Sequence, residues 1–269
     1  MIRKRIFTKS FVFLMITVLL SFALYGCFEE DNNKNKDIVY EDMKTTFDKS
    51  GMLSANIGII SRTEEDGSIS YGEGGSGVVI KKDGKTYYAL TAAHVVSKKN
   101  ADLLVFTTNT DMKSESIPGL EMNVLASEVY DTMYAAEVVY SSTRDDLAVI
   151  KFNTDEELAI ISLSEEDPKI DDRIMCIGNP QNQWFALSYG KVLSGIQKFG
   201  EFKSFPSNGM KHSAYIQVGN SGGAAINEKM ELVGIVTGAS YSLDGSKFHY
   251  GVLIPTSEIK LCLNEWNGE

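Results

Sequence analysis

Gly219-Asn220-Ser221-Gly222-Gly223 is the stretch on which the fold turns. A serine between glycines can present its hydroxyl and the neighbouring backbone N–H groups to one small volume, which suits acyl transfer. Two settings offer such a turn. One is the sharp Gly-x-Ser-x-Gly corner from a strand into a helix, in a sheet that alternates with helices. The other is a loop in an all-β protein. A serine hydroxyl is a poor nucleophile alone, so either reading needs a base and an orienting carboxylate elsewhere in the chain.

The rest of the chain favours the second setting. Ala55–Ile60, Gly77–Ile80, Thr86–Leu90, Leu103–Thr107, Ala136–Tyr140 and Leu147–Phe152 are short, rich in β-branched or aromatic residues, and separated by Gly, Asp, Asn and Lys turns. Arg173–Ile177, Trp184–Val192, Ala214–Gln217, Leu232–Thr237 and Phe248–Ile254 repeat the style. Helical spacing is confined to Val39–Ser50 and to a closing segment, Thr256–Trp266, with Thr256 or Ser257 as its cap. Two strand-rich halves, changing over near residues 162–172, predict an all-β fold of two packed barrels or a sandwich. The strand-to-helix corner would need an aspartate and then a histidine after the serine. Only Asp244 and His249 follow in that order, five residues apart in one loop, and the helices between strands are missing.

Three histidines could serve as base: His94, His212 and His249. His94 is best placed, because strand-like Tyr87-Tyr88-Ala89-Leu90-Thr91 runs into the compact Ala92-Ala93-His94-Val95-Val96. Asp145 and Asp146 precede the apolar strand Leu147–Phe152, and Asp146 adjoins it directly.

Thr91-Ala92-Ala93-His94-Val95-Val96, Asp146-Leu147-Ala148-Val149 and Gly219-Asn220-Ser221-Gly222-Gly223 resemble the three catalytic blocks of chymotrypsin-like serine proteases, in that clan's order of His, Asp, Ser. The bacterial HtrA/Deg family is the nearest in flavour. Gly75–Ile80, Ala136–Val139, Ile177–Pro180, Val192–Ile196 and Gly251–Pro255 agree with it, so the likeness spans about residues 74 to 260. It implies two six-stranded antiparallel β-barrels and a short C-terminal helix, with residues 51–269 as the protease domain. It also implies a serine endopeptidase that needs no metal or organic cofactor. His94 would take the Ser221 proton, Asp146 would hold the imidazole, and the segment Gly219, Asn220, Ser221 would form the oxyanion hole through the N–H groups of Gly219 and Ser221. Tyr215, six residues before the serine, would floor the substrate pocket, and Thr237, Gly238 and Ala239 would wall it and offer an edge to an extended substrate. Without an acidic residue at position 215, a preference for Lys or Arg is not expected. Ala224 stands where the family often has proline. The sequence ends at Glu269, so the PDZ domain of many members is not expected. The alternative reading is a catalytically silent protease fold acting as a binding or chaperone-like module.

The first 26 residues read as an export signal, with Arg3, Lys4, Arg5 and Lys9 ahead of an uncharged run from Ser10 to Gly26. Leu24-Tyr25-Gly26-Cys27 resembles a bacterial lipobox, which implies cleavage, lipidation of Cys27 and a membrane-anchored lipoprotein of the cell envelope. An uncleaved membrane-spanning helix is the alternative for this run. Residues 27–50 would then be an acidic, Asn-rich tether and a short helix. Loss of the signal takes the formal net charge from −10 to −14, which disfavours nucleic acid as a partner; the protease resemblance implies protein or peptide substrates, as unfolded or extended segments. Self-association stays open. Cys176 and Cys262 are left, and Cys176, within Ile174-Met175-Cys176-Ile177, reads first as a buried thiol rather than half of a disulfide. No His and Cys grouping has metal-ligand spacing.

Overall fold

The computed structural model describes residues 40–72, 74–112, 114–116, 123–125, 127–180, 185–199 and 206–267. The export signal, Cys27, the tether and Trp184 lie outside them.

Two antiparallel units carry the fold. The first is built from β1 (Asn56–Glu65), β2 (Ser68–Tyr71), β3 (Gly75–Asp83), β4 (Thr86–Ala92), β5 (Asp102–Phe106), β8 (Tyr134–Ser142) and β9 (Leu147–Asn153). A two-stranded ribbon of β6 (Ser114–Ser116) and β7 (Asn123–Leu125) and a single helical turn, α2 (Ser127–Tyr130), lie between β5 and β8 in sequence. The strand order β1-β3-β4-β9-β8-β5 closes because β5 pairs back onto β1, with Ile59 opposite Val105, and β2 extends the far end of β1. This is a closed six-stranded barrel.

The second unit is a seven-stranded sheet in the order β11 (Ala186–Lys191), β10 (Arg173–Gly178), β14 (Ala224–Ile226), β15 (Leu232–Tyr241), β16 (Phe248–Pro255), β13 (Asn208–His212), β12 (Gln197–Lys198). Beyond β11 the chain meets β13 at a lone bridge, Val192 opposite His212, flanked by Leu193 N donating to Lys211 O at 2.8 Å and Ser213 N to Lys191 O at 2.9 Å. The expected pair of barrels is thus realised as one closed barrel and one sheet whose edges approach each other over this short contact.

Near-continuous apolar runs mark strands covered on both faces. In β9, Leu147 and Val149 point into a core shared by the two units, while Ile150 and Phe152 fill the barrel. In β10 the shares are reversed in phase, Met175 and Ile177 facing the common core and Ile174 and Cys176 the interior of the second sheet. Side chains alternate faces along a strand, so a run without polar gaps has no solvated face. Each such side chain contributes about 1.5–3 kcal/mol when fully buried.

Two helices close this common core. α1 (Glu41–Ser50) inserts Met43 and Phe47, both 2% exposed, and α3 (Thr256–Trp266) inserts Ile259 and Cys262. Thr256 and Ser257 do not cap α3: the N-cap is Pro255, and the Thr256 hydroxyl donates to Val233 O. The cap comes from afar, since Asp167 Oδ1 accepts the Ser257 N–H at 2.8 Å, placing a carboxylate where the helix N-terminus favours one. Cys176 and Cys262 are free, buried thiols, pushed up to about 12 and about 11 by burial first of all, which leaves them inert as nucleophiles.

Ala214–Gln217 is not a strand. It is a loop laid on the second sheet, with Ala214 and Ile216 buried in that sheet's interior and Tyr215 and Gln217 half-buried. The strand nearest to it is β13, which ends at His212.

Candidate active site

The pairing of β4 with β9 sets the first half of the site. Ala92 lies opposite Leu147, so the residues just beyond, Ala93-His94 and Asp146, are brought face to face. A 3-10 turn over Ala93–Val96 follows, with Ala93 1% exposed, which leaves room for little more than a methyl group there. Asp146 takes a left-handed backbone, φ +53°, which Asp tolerates better than most residues. Its carbonyl accepts the Ala93 N–H at 3.0 Å, and its carboxylate accepts the His94 N–H at 3.0 Å. His94 Nδ1 lies 3.0 Å from Oδ1 and 2.9 Å from Oδ2 of the same carboxylate. Asp146 is 6% exposed, whereas the imidazole is partly open to solvent.

Asp145 faces elsewhere. Its carboxylate binds Ser142 Oγ at 2.7 Å and Arg144 Nε at 3.0 Å. Burial opposes its ionisation, but the Arg144 guanidinium and Ser142 hydroxyl outweigh that and hold its carboxyl below the ordinary value.

Ser221 comes from the second unit, at the end of a turn that leads into β14. Asn220 N donates to Gln217 O, Gly222 N to Val236 O and Gly223 N to Asn220 O. Between them, the N–H groups of Gly219 and Ser221 donate to nothing among the described residues. Two N–H groups without an acceptor, on either side of one hydroxyl, are donors of the kind that can receive an anion. Asn220, expected in the same hole, contributes no N–H because Gln217 holds it. Gly219 has φ +99° and Gly222 φ +85°, and a Cβ on Gly222 would overlap Ser76 O and Thr91 Oγ1. Only glycine fits there.

Ser76, on β3 of the barrel and 1% exposed, ties this turn to the first unit. Its N–H donates to Ser221 O at 2.8 Å and its hydroxyl to Gly219 O at 2.7 Å, while that hydroxyl accepts the Asn179 N–H at 2.8 Å and its carbonyl accepts Thr91 Oγ1 at 2.7 Å. Gly75-Ser76-Gly77 is legible in the sequence as part of a block, but nothing in it signals a residue that holds both carbonyls around the serine.

Thr237, expected as a pocket wall, makes two contacts within the site. Its hydroxyl donates to Asp146 Oδ2, and its carbonyl accepts Ser221 Oγ at 2.8 Å. Thr237 therefore bridges the two halves of the site. Ser221 Oγ has no hydrogen bond to His94 in this arrangement. Gly238 and Ala239 are half-buried on β15. Pairing of β14 with β15 ends at Ile235, so from Gly238 on one edge of β15 faces β16 and the other has no strand beside it among the described residues.

Tyr215 sits near that open edge. Its hydroxyl accepts Gln217 Nε2 at 2.6 Å, and its ring meets Phe248 and Tyr241 edge-on, at 5.2 and 6.5 Å between centroids. Phe248 and Tyr241 meet each other at 5.5 Å, and the Tyr241 hydroxyl donates to Ile216 O. The aromatic wall is thus a group of three from three segments, two of which carry no local motif. His212 is wholly buried on β13 beside Gly251, and burial holds its imidazole down to about 4. His249 is exposed on β16. Asp244 closes its own loop through Ser242 and Ser246, which hold its carboxyl down to about 2. None of the three hydrogen-bonds to Ser221.

Residues 75–235 match the family described as Trypsin-like peptidase domain. Among curated proteins the chain is similar to a probable periplasmic serine endoprotease DegP-like of Buchnera aphidicola, 29% identical over 69% of this chain and 34% of that one. It is similar to the serine endoprotease DegS of Haemophilus influenzae, 33% identical over 61% and 41% of the two chains. It is also similar to a serine protease HtrA-like of Staphylococcus aureus, 26% identical over 94% and 33%. The chain spans about a third of the length of most of these relatives.

Proposed function

The chain belongs to the trypsin-like peptidase family, and from that premise we propose that it is a serine endopeptidase cutting protein substrates through His94, Asp146 and Ser221. The observation that carries this reading is the buried Asp146 carboxylate 2.9 Å from His94 Nδ1, next to a serine flanked by two unsatisfied N–H groups. With Nδ1 donating to Asp146, Nε2 is left as the lone-pair nitrogen that takes the Ser221 proton. For that, Ser221 Oγ must leave Thr237 O and turn toward the imidazole. Attack on the peptide carbonyl places the developing oxyanion between Gly219 N and Ser221 N, and each well-placed donor is worth roughly 3 kcal/mol there. The imidazolium, stabilised by Asp146, then protonates the leaving amine, and water releases the acyl group by the same steps.

An extended substrate fits the open edge of β15 at Gly238–Tyr241, its side chain before the scissile bond directed at Tyr215, Tyr241 and Phe248. A wall of three rings and no acidic residue among them suits an uncharged side chain. We read the second sheet as the second barrel, closing at Val192 and His212, with residues 51–269 as one protease domain. We place the enzyme outside the cytoplasm, on the membrane through lipidated Cys27. The word periplasmic in the name of the Buchnera relative supports the setting but not the anchor. Mass spectrometry of the mature N-terminus should find an acylated Cys27, and an intact Met1 would overturn the anchor.

The silent-module alternative has one observation in its favour, the pairing of Ser221 Oγ with Thr237 O. Cleavage of an unfolded protein such as casein separates the readings. The wild type should degrade it and Ser221→Ala should retain at most about a thousandth of the rate, whereas equal rates would remove Ser221 from the chemistry.

A further inference from the structure

A cleft of about 370 Å³ opens beside Ser221, and no residue of β15 lines it. Ser221, His94 and Val218 line it together with Ser61, Gly72 and Lys98 of the first unit, among others. Val218 is 65% exposed, an uncovered apolar face beside the reacting atoms. A substrate whose acyl part lies along Gly238–Tyr241 must send the chain beyond the scissile bond into this cleft, past the imidazole that protonates its amine.

Lys98 is the fixed charge among the described residues that line that space. Among the described residues it has no hydrogen-bond or ion-pair partner, and no carboxylate among them lines the cleft. Arg62, on the neighbouring strand, is by contrast held by Asp102 at 2.9 Å and Glu64 at 3.1 Å. Gly72 keeps the lysine accessible: a Cβ there would overlap Ser61 Oγ and reach within 3.2 Å of Lys98 Nζ. An ammonium, a hydroxyl and an apolar wall therefore converge where the first residues of the leaving peptide pass. The chain as a whole is acidic, net −10, so its general field repels acidic peptides and any attraction to them must be local.

We infer that Lys98 sets specificity on the leaving side, pairing with the carboxylate of an Asp or Glu in the first two residues after the scissile bond. The inference rests on the endopeptidase reading. The pair is solvent-exposed, so the preference it supports is about two- to fivefold over a basic residue, and it shrinks as salt is raised toward 1 M.

The test is cleavage-site profiling with a proteome-derived peptide library, digested by the wild type, Lys98→Met and Lys98→Glu. In the wild type, Asp and Glu should exceed Lys and Arg at the two leaving-side positions by that factor. The bias should flatten in Lys98→Met and invert in Lys98→Glu, with the residue before the scissile bond unaltered in all three. The same leaving-side profile in all three proteins overturns the inference while leaving the protease reading intact. A readout without turnover uses Ser221→Ala and two labelled extended peptides that differ only in Glu-Glu or Lys-Lys after the central bond, followed by fluorescence anisotropy. Tighter binding of the glutamate peptide, reversed by adding Lys98→Glu, upholds the cleft's preference even if the wild type cleaves nothing, in which case it is the protease reading that falls. Equal binding of the two peptides overturns the inference.

Discussion

Ser76 shows how much of the site depends on a residue that touches no substrate. It lies 1% exposed in the barrel, yet its hydroxyl and N–H hold the carbonyls of Gly219 and Ser221. Those two hydrogen bonds fix the Gly219–Asn220 and Ser221–Gly222 peptide planes, which alternate along the chain with the planes carrying the Gly219 and Ser221 N–H groups, and so restrict how those N–H groups can turn. Removing the hydroxyl leaves Gly219 O and Asn179 N buried without their partner, so Ser76→Ala should cost about 1–3 kcal/mol of stability. Below its unfolding transition it should lower kcat about ten- to a hundredfold with KM little changed, because the lost orientation matters most in the transition state. Steady-state kinetics beside a urea melt separate the two effects. A loss of stability with unaltered kcat would make Ser76 a packing residue only. At this scale the sequence was informative where chemistry demands a residue type: His94, Asp146 and Ser221 could be picked out, and Asp146 was distinguished from Asp145 by its place next to Leu147. Thr237 and Ser76 were not legible in their roles, because a buried hydroxyl's partners are set by tertiary packing and not by its neighbours in sequence.

At the scale of elements, periodicity located most strands and misjudged one. Ala214–Gln217 has the alternation of a strand, Ala214 and Ile216 in and Tyr215 and Gln217 out, but no partner ladder. A loop pressed against a sheet produces the same period-2 pattern. β14 is three residues long, too short to register, and its glycine-rich approach reads as a turn. β13 hides an aliphatic-poor core position, His212, whose ring packs against Gly251 of β16. That placement has a pH consequence. Its folded proton affinity is lowered to about 4 from an ordinary 6.5, so between those values the unfolded chain holds a proton that the folded one does not. The stability from a neutral His212 is fully present above pH 6.5 and is lost as the pH falls toward 4, on the order of 3 kcal/mol in all. Urea unfolding at pH 7 and pH 4.5 should show a drop in the wild type that is visibly smaller in His212→Gln. Equal drops would place the acid sensitivity elsewhere.

For the whole molecule, the division of labour between the units explains why the site could be anticipated only in outline. The barrel supplies His94, Asp146, Ser76 and Lys98, and the second sheet supplies Ser221, Thr237 and the aromatic wall. They are assembled across a common core that α1 and α3 complete with Phe47 and Ile259. Linear order revealed the blocks, and the family likeness supplied their spatial relation. What no motif could supply is the state of the nucleophile, with Ser221 Oγ on Thr237 O and the His94–Asp146 pair already formed. The account requires that Ser221 can turn to His94 and become reactive. Labelling with a fluorophosphonate, followed by peptide mass spectrometry, measures that reactivity directly. The predicted result is a single phosphonylated residue, Ser221, with the adduct lost in Ser221→Ala and slowed at least a hundredfold in His94→Ala. An adduct on another residue, or labelling of Ser221 at the same rate without His94, would contradict it.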